Sequence, residues 1–333
     1  MDIYLAGGIS GNCKPLWTDL IKAERSGKLD LYLAGLNGRR WCVDLYLAGT
    51  AMAGRTMGCF IHKFEEEVVP VVKEKEKKSD EMDLYLAGAM AGNQGRFMQK
   101  HEAEIPPMID LSILESFYYA DEWTEWAIPR VKNFMLDSGA FTFMTSHKGK
   151  VDWNDYLRRY ADFINKNDVK LFYELDVDSV LGYDKVLEMR RWLEAETGKQ
   201  PIPVWHKSRG KEEFLKMCDE YKYVAIGGIV SKEITRQEYK YFPWFINEAH
   251  KRGAKIHGLG FTNLEGIRKY HFDSVDSTSW TTGNRFGAIY RFNGVTMEKF
   301  GKKEGQRLAD SRAVAINNFN EWAKFQKYAE NHL

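Results

Sequence analysis

From Asp83 onward the chain alternates short apolar runs with longer amphipathic stretches, and this regular alternation limits its folds more than any other feature. The strand-like runs are 83–88, 113–119, 132–138, 169–177, 202–206, 223–228, 254–260 and 272–277, a count of eight. Helical patterns lie between most of them, as at 153–167, 183–198 and 237–253. Thr235 with Glu238 and Thr262 with Glu265 have capping-box spacing, and Gly198 and Gly253 sit where helix C-caps belong. Strands alternating with helices, with a count of eight, predict an α/β fold, a closed (β/α)8 TIM-type barrel rather than an open sheet. Past the eighth strand, AIYRFNGVTMEKF reads as a hairpin turning at Asn293-Gly294. A final amphipathic helix is expected from about Gln306 to Asn331, with Trp322, Phe325 and Tyr328 packing on the barrel.

A repeat precedes the barrel. DIYLAG begins at Asp2, and DLYLAG recurs at Asp30, Asp44 and Asp83, each copy running into small residues and glycine. The spacings are too uneven for a solenoid. Each unit reads as a short buried strand entering a glycine loop. The fourth copy, MDLYLAGAMAG, nearly restates the chain start, MDIYLAGGISG, which points to duplication of one strand–loop segment with the last copy in the barrel. The charged run 73–81 reads as a solvated linker or a frayed helix. The expected division is therefore a repeat-bearing segment 1–81 without an assigned role, and a barrel domain 82–333.

Composition narrows the partners. The formal net charge of +1 over 333 residues gives no global field for nucleic acid, although a local basic groove stays compatible with it. The four cysteines, Cys13, Cys42, Cys59 and Cys218, form no CxxC pair, so neither a disulfide framework nor a zinc site is expected. The start has no basic region followed by an apolar run, and no stretch approaches membrane-spanning length. The expectation is a cytoplasmic protein with reduced thiols and no membrane partner.

In barrels of this kind the chemistry lies at the C-terminal ends of the strands. Strand three ends in Asp137-Ser138-Gly139, strand four in Asp176 and Asp178, strand five in Trp205-His206 and strand six in Gly227-Gly228. Strand seven carries His257-Gly258-Leu259-Gly260, and strand eight carries Asp273 and Asp276. Acids at the end of an apolar strand are costly to bury unless paired, hydrogen-bonded or used. Each has a bland reading. Asp137 can cap a turn, one of Asp176 and Asp178 can pair with an arginine, and His206 and His257 can be hydrogen-bonded core residues. Gly227-Gly228 marks either a tight bend or a close approach of a planar ligand to bare backbone. Their convergence on one rim favours a site. The chain has no three-histidine cluster, no CxxxCxxC, no GxxxxGK[ST] and no GxSxG. The GLG before Thr262 is a candidate phosphate position.

Taken in order, DSGAFT (137–142), LDVD (175–178), IGGI (226–229), HGLG (257–260) and FDSVDST (272–278) resemble the motif set of the tRNA-guanine transglycosylases, or queuine tRNA-ribosyltransferases. The flavour is closest to the phage and bacterial enzymes that place 7-deazaguanine bases in DNA. The resemblance implies base exchange through a covalent aspartyl–glycosyl intermediate, which is ordinary nucleophilic catalysis. Carried over by motif, Asp273 matches the nucleophile, with Asp276 as its rival, because on an extended strand the two face opposite ways. Asp137 matches the acid/base residue, with Ser138 and Gly139 beside the base. Asp176 matches the reader of the guanine edge, and Gly227, Gly228, His257 and Gly258 match the base-contacting backbone and its neighbours. His206 falls near a position where the family often has glutamine.

Departures shift the substrate. The tRNA enzymes hold a zinc with three cysteines and a histidine near the C-terminus, and this chain has no cysteine after Cys218. No cofactor and no metal are expected, and DNA is favoured over tRNA as the partner, with a 7-deazaguanine base as co-substrate. Whether a homodimer forms stays open. If the chain is phage-encoded, the host cytoplasm is its place. Trp280 is a candidate for stacking on a base or for a buried anchor. Two alternatives remain: a nucleoside deoxyribosyltransferase-like enzyme acting on free nucleosides, suggested by YLAG, and a non-catalytic barrel that only binds nucleic acid.

Overall fold

In the computed structural model the described residues are 2–6, 30–34, 82–140, 142–143, 152–301 and 310–333. They fall in two units, Met1–Val68 and Val69–Leu333. In the first, two YLAG copies form strands, Asp2–Ala6 and Asp30–Ala34, paired in parallel with Tyr4 opposite Tyr32. The third copy, at Asp44, and the charged run 73–81 lie outside the described residues.

The second unit is a barrel that begins with the fourth copy. Its strands are β1 (Asp83–Ala87), β2 (Ser112–Ser116), β3 (Asn133–Asp137), β4 (Leu171–Phe172), β5 (Val204–Trp205), β6 (Tyr223–Ile226), β7 (Lys255–Gly258) and β8 (Ser274–Ser277). They form one 8-stranded parallel sheet in the order β4-β3-β2-β1-β8-β7-β6-β5. A parallel bridge from Tyr173 to Ile202 joins the two end strands and closes the ring. Helices α1 (Gly92–Lys100), α2 (Glu122–Ala127), α3 (Trp153–Lys166), α4 (Tyr183–Thr197), α5 (Gly210–Glu220), α6 (Phe242–Lys251) and α7 (Leu264–Tyr270) follow β1 to β7 in turn. After β8 come the antiparallel hairpin β9 (Ile289–Phe292) and β10 (Met297–Phe300), then α8 (Ser311–His332).

Side chains alternate across the wall, as the two-residue strand period requires. Tyr85, Leu114, Met135, Tyr173, Val204 and Ala225 fill the interior. The outward residues, such as Leu84, Ile113, Val224 and Val275, join the shell beneath the helices. In α3 the buried positions Tyr156, Leu157, Tyr160, Ala161 and Ile164 recur at helical spacing, which lays one apolar stripe on the sheet.

Two seams of the barrel are completed by side chains. Pro201 and Pro203 flank Ile202 and have no N–H to give a ladder, so β5 is two residues long instead of the expected 202–206. There the buried Glu174 carboxylate accepts from Val204 N at 2.8 Å. Between β1 and β2 the buried Gln326 of α8 does the same, with Ser112 N donating to Oε1 at 3.1 Å and Nε2 donating to the carbonyls of Ser112, at 2.7 Å, and Leu84. A side-chain amide carries the donor and acceptor of a peptide group, so it can stand in for a missing strand residue.

Other boundaries also moved. The run 113–119 ends its strand at Ser116 and turns into a 3-10 helix, Phe117–Tyr119, whose Phe117 packs on Tyr156 and Tyr160. The stretch 237–253 is a 3-10 turn, Arg236–Tyr241, opened by the Thr235–Glu238 capping box, followed by α6 with Pro243 in its first turn. Thr262 does not cap α7; the side chain of Asn263 accepts from Gly266 N at 2.9 Å instead. Helix α8 starts after Asp310, whose carboxylate accepts from Ala313 N at 3.0 Å. No helix among the described residues is long and apolar enough to cross a membrane.

Candidate active site

The top of the barrel is a bowl whose wall is set by strand parity. β3 ends in Asp137, which is half-buried and accepts from Gly139 N at 3.0 Å. Gly139 has φ +68°, and a Cβ there would stand 2.7 Å from Tyr118 Cβ, so both backbone and space demand glycine. Burial pushes the Asp137 carboxyl up to about 6, the Gly139 N–H pulls it down, and the charges of Asp276 and Asp176 push it up further. These three acids therefore share one electrostatic site.

Asp176, beyond β4, is gripped from two sides. His206, just past β5, places Nε2 2.6 Å from Oδ2, and Arg209 donates to Oδ1 at 3.3 Å. Burial raises the Asp176 pKa, while His206 and Arg209 oppose the rise. The other ring nitrogen of His206 lies 2.9 Å from Glu233 Oε2. Burial alone would lower the His206 pKa, but the hydrogen bonds and charges of Asp176 and Glu233 outweigh it and lift it to about 9, so the ring is an imidazolium at neutral pH. Arg209 also donates to Asp178 at 2.9 Å and to Glu174 at 2.8 Å, and its guanidinium lies 4.4 Å from the Tyr183 ring centroid.

The loop after β6 supplies bare backbone. A Cβ on Gly227 would meet His206 Cε1 and Nε2 and Val204 Cγ1, all at 2.8 Å. A Cβ on Gly228 would meet Glu233 Oε2 at 2.8 Å. On β8, Asp276 is 6 % exposed and its Oδ1 receives Gly260 N–H and lies 3.2 Å from His257 Nε2.

The structure thus brings Asp137, Gly139, Asp176, His206, Gly227, Gly228 and Asp276 to one rim, with His257 fully buried just below Asp276. It does not bring Asp273 there. Asp273 precedes β8 at the N-terminal end of the barrel, where its Oδ2 accepts from Ile256 N at 2.8 Å and lies 2.9 Å from His250 Nε2. The preference for Asp273 over Asp276 is therefore corrected: Ser274 and Asp276 face the interior, so 273 and 275 face out. Two further candidates turn away from the bowl. The Ser138 carbonyl accepts from Tyr156 OH at 2.6 Å while its hydroxyl accepts from Ala140 N at 3.4 Å. Gly258 faces outward, with Phe261 and Phe272 against it. Trp280 is the buried anchor, donating to the Ala87 carbonyl at 3.0 Å and packing edge-on against Phe319. The Gly260 N–H, offered for a phosphate, is taken by Asp276.

Glu174 was missed inside the strand-like run 169–177, and Arg209 and Glu233 because each reads as an ordinary polar residue between runs. A signal was available: each lies within a few residues of a strand end already carrying a candidate. Among the described residues one set could hold a metal ion, Asp176, Asp178 and His206, with ligand atoms within 4.8 Å of one another. Arg209 already neutralises both carboxylates there. Cys218, in α5, is buried, which pushes its thiol up to about 12, so it fits no zinc site.

No protein-family model matches the chain, and none of the curated proteins compared with it matches. Solved structures do align with much of the chain. One, from Aquifex aeolicus VF5, is described only as a structural study; it has 10 % identity and a TM-score of 0.47 over 75 % of this chain and 94 % of its own. Another, from Coccidioides immitis, is described as a "putative fructose-1,6-biphosphate aldolase", with 12 % identity and a TM-score of 0.45 over 76 % of this chain and 90 % of its own. Neither likeness bears on chemistry.

Proposed function

We propose that the rim is the active site of an enzyme that exchanges guanine in nucleic acid, DNA favoured over tRNA, for a 7-deazaguanine base. One observation carries this reading: Asp137 feels the charges of both Asp176 and Asp276 at one rim, and it stands near pKa 6. Two carboxyl groups with different environments divide acid and nucleophile roles, as in retaining glycosyl transfer. Asp276 attacks the anomeric carbon as its bond to the guanine nitrogen breaks, and Asp137 gives the departing base a proton. The incoming deazaguanine then loses its ring N–H proton to Asp137, attacks the same carbon and releases Asp276. Asp176 keeps acceptor capacity beyond its bonds to His206 and Arg209, enough to take N–H donors of the purine edge.

The test is mass spectrometry of nucleosides from DNA and tRNA incubated with the chain and a 7-deazaguanine base. Asp276→Ala abolishes exchange and any trapped covalent adduct, whereas Asp273→Ala keeps the chemistry. A dead Asp273→Ala beside an active Asp276→Ala overturns the assignment. Exchange on free deoxynucleosides alone would favour the deoxyribosyltransferase alternative.

A further inference from the structure

A polar chain climbs the barrel interior to the reactive carboxylate, and the proposed function does not use it. It begins at Tyr223 OH on β6, which hydrogen-bonds Ser274 Oγ on β8. Ser274 Oγ in turn bonds His257 Nδ1 on β7, and His257 Nε2 lies 3.2 Å from Asp276 Oδ1. His257 is 0 % exposed and stands edge-on to two tyrosine rings, Tyr85 at 6.3 Å and Tyr173 at 5.7 Å between centroids. Its interior neighbours are otherwise apolar. A two-ended imidazole is a poor space-filler there unless both nitrogens are satisfied. Both are, one of them by the proposed nucleophile.

The donors run in one direction. An ionised carboxylate only accepts, so the Nε2 facing Asp276 carries the proton. In a neutral ring Nδ1 is then an acceptor, which makes Ser274 the donor to it and Tyr223 the donor to Ser274. Burial holds the Tyr223 hydroxyl far above its ordinary titration range, so it remains a donor. Gly260 N–H lands on the same oxygen as His257, Asp276 Oδ1. Among the described residues Oδ2 has no hydrogen-bond donor.

We propose that His257 is a positioning residue, held by Ser274 and Tyr223 in the Nε2–H tautomer, which pins Asp276 through Oδ1 and leaves Oδ2 as the attacking atom. This rests on the base-exchange reading for its catalytic consequence but not for its physical one. The groups that face Asp276 are Asp137 from β3, Tyr173 from β4 and His257 from β7, with Asp176 beside Asp137. Of these groups only His257 changes in the variants below, so differences in the Asp276 titration report on it.

The experiment uses the full chain with labelled aspartate and histidine. NMR follows the Asp276 carboxyl through its titration in wild type, His257→Leu, His257→Gln and Ser274→Ala, and reads the His257 tautomer from its ring nitrogens. Loss of the donor in His257→Leu raises the Asp276 midpoint by about one pH unit, and His257→Gln, which keeps an N–H at that end, restores most of it. Ser274→Ala leaves the midpoint nearly in place but lets His257 sample both tautomers. In base exchange, kcat of His257→Leu falls on the order of 100-fold with KM nearly unchanged. An Asp276 midpoint that is the same in wild type and His257→Leu overturns the proposal, as does a wild-type His257 protonated at Nδ1. If His257→Leu does not fold, the wild-type tautomer and the Ser274→Ala spectrum decide. If wild type exchanges no base, the titration still judges His257 while the base-exchange reading fails separately.

Discussion

Asp137 should make the folded protein less stable as it becomes charged, and replacing it with asparagine should expose that cost. Its carboxyl moves from an ordinary 3.8 to about 6 on folding, chiefly through burial. Because the folded value lies above the unfolded one, the folded chain holds an extra proton between these pH values. Stability is therefore lost as pH rises through that window, and the loss is complete above about pH 6. Two units at about 1.4 kcal/mol each set a ceiling of about 3 kcal/mol. Asp137 is half-buried, so solvent screening trims this to about 1–3 kcal/mol. Asparagine keeps an oxygen for the Gly139 N–H, at 3.0 Å in the wild type, and removes the charge. Asp137→Asn should thus be about 1–3 kcal/mol more stable than wild type at pH 8, with about half of that gain at pH 5, while losing base exchange. Urea unfolding of both proteins at the two pH values measures it, and titrations common to both cancel in the difference. A gain that does not change with pH, or a variant less stable than wild type at pH 8, would refute the reasoning.

Two further outcomes test the supports of the site. Glu174 holds Arg190 Nε, Arg209 Nη1 at 2.8 Å and Val204 N, with all three charged side chains at most 1 % exposed. Glu174→Gln takes the carboxylate from the buried Arg190 guanidinium and one of three acids from Arg209, and should cost about 3–5 kcal/mol in urea unfolding; a loss under about 1 kcal/mol would mean that water reaches the pair. Gly227→Ala places a methyl where His206 and Val204 already stand, at 2.8 Å. It should cost about 1–3 kcal/mol by overpacking and reduce base exchange more than tenfold, with near-native circular dichroism; unchanged activity would place the base elsewhere.

Much of the barrel was legible in the sequence because its information is local. Apolar runs of strand length, capping residues such as Thr235 with Glu238, and glycine at 198 are written into neighbouring positions. Asp137, Asp176 and Gly227-Gly228 could be placed at the rim for the same reason: each lies at the end of a strand or within a few residues of it, and the end of a barrel strand is the rim. The supporting residues were not legible in this way. Gln326 completes β1 and β2 from 242 and 214 residues away, and Arg209 reaches three acids across two loops.

The eighth strand marks the boundary between the two kinds of information. FDSVDST says that a strand carries two aspartates on opposite faces, and nothing local says which face is inside. That choice depends on register: Ser274 pairs with His257 and with Asp83, which starts β8 at Ser274 and turns 274 and 276 inward. Periodicity along the chain therefore determined the strand count, the closed barrel and the rim. Only the pairing of strands distant in sequence decided that Asp276 belongs to the rim and Asp273 to the opposite end, because a strand's facing is a property of its neighbours rather than of its own residues.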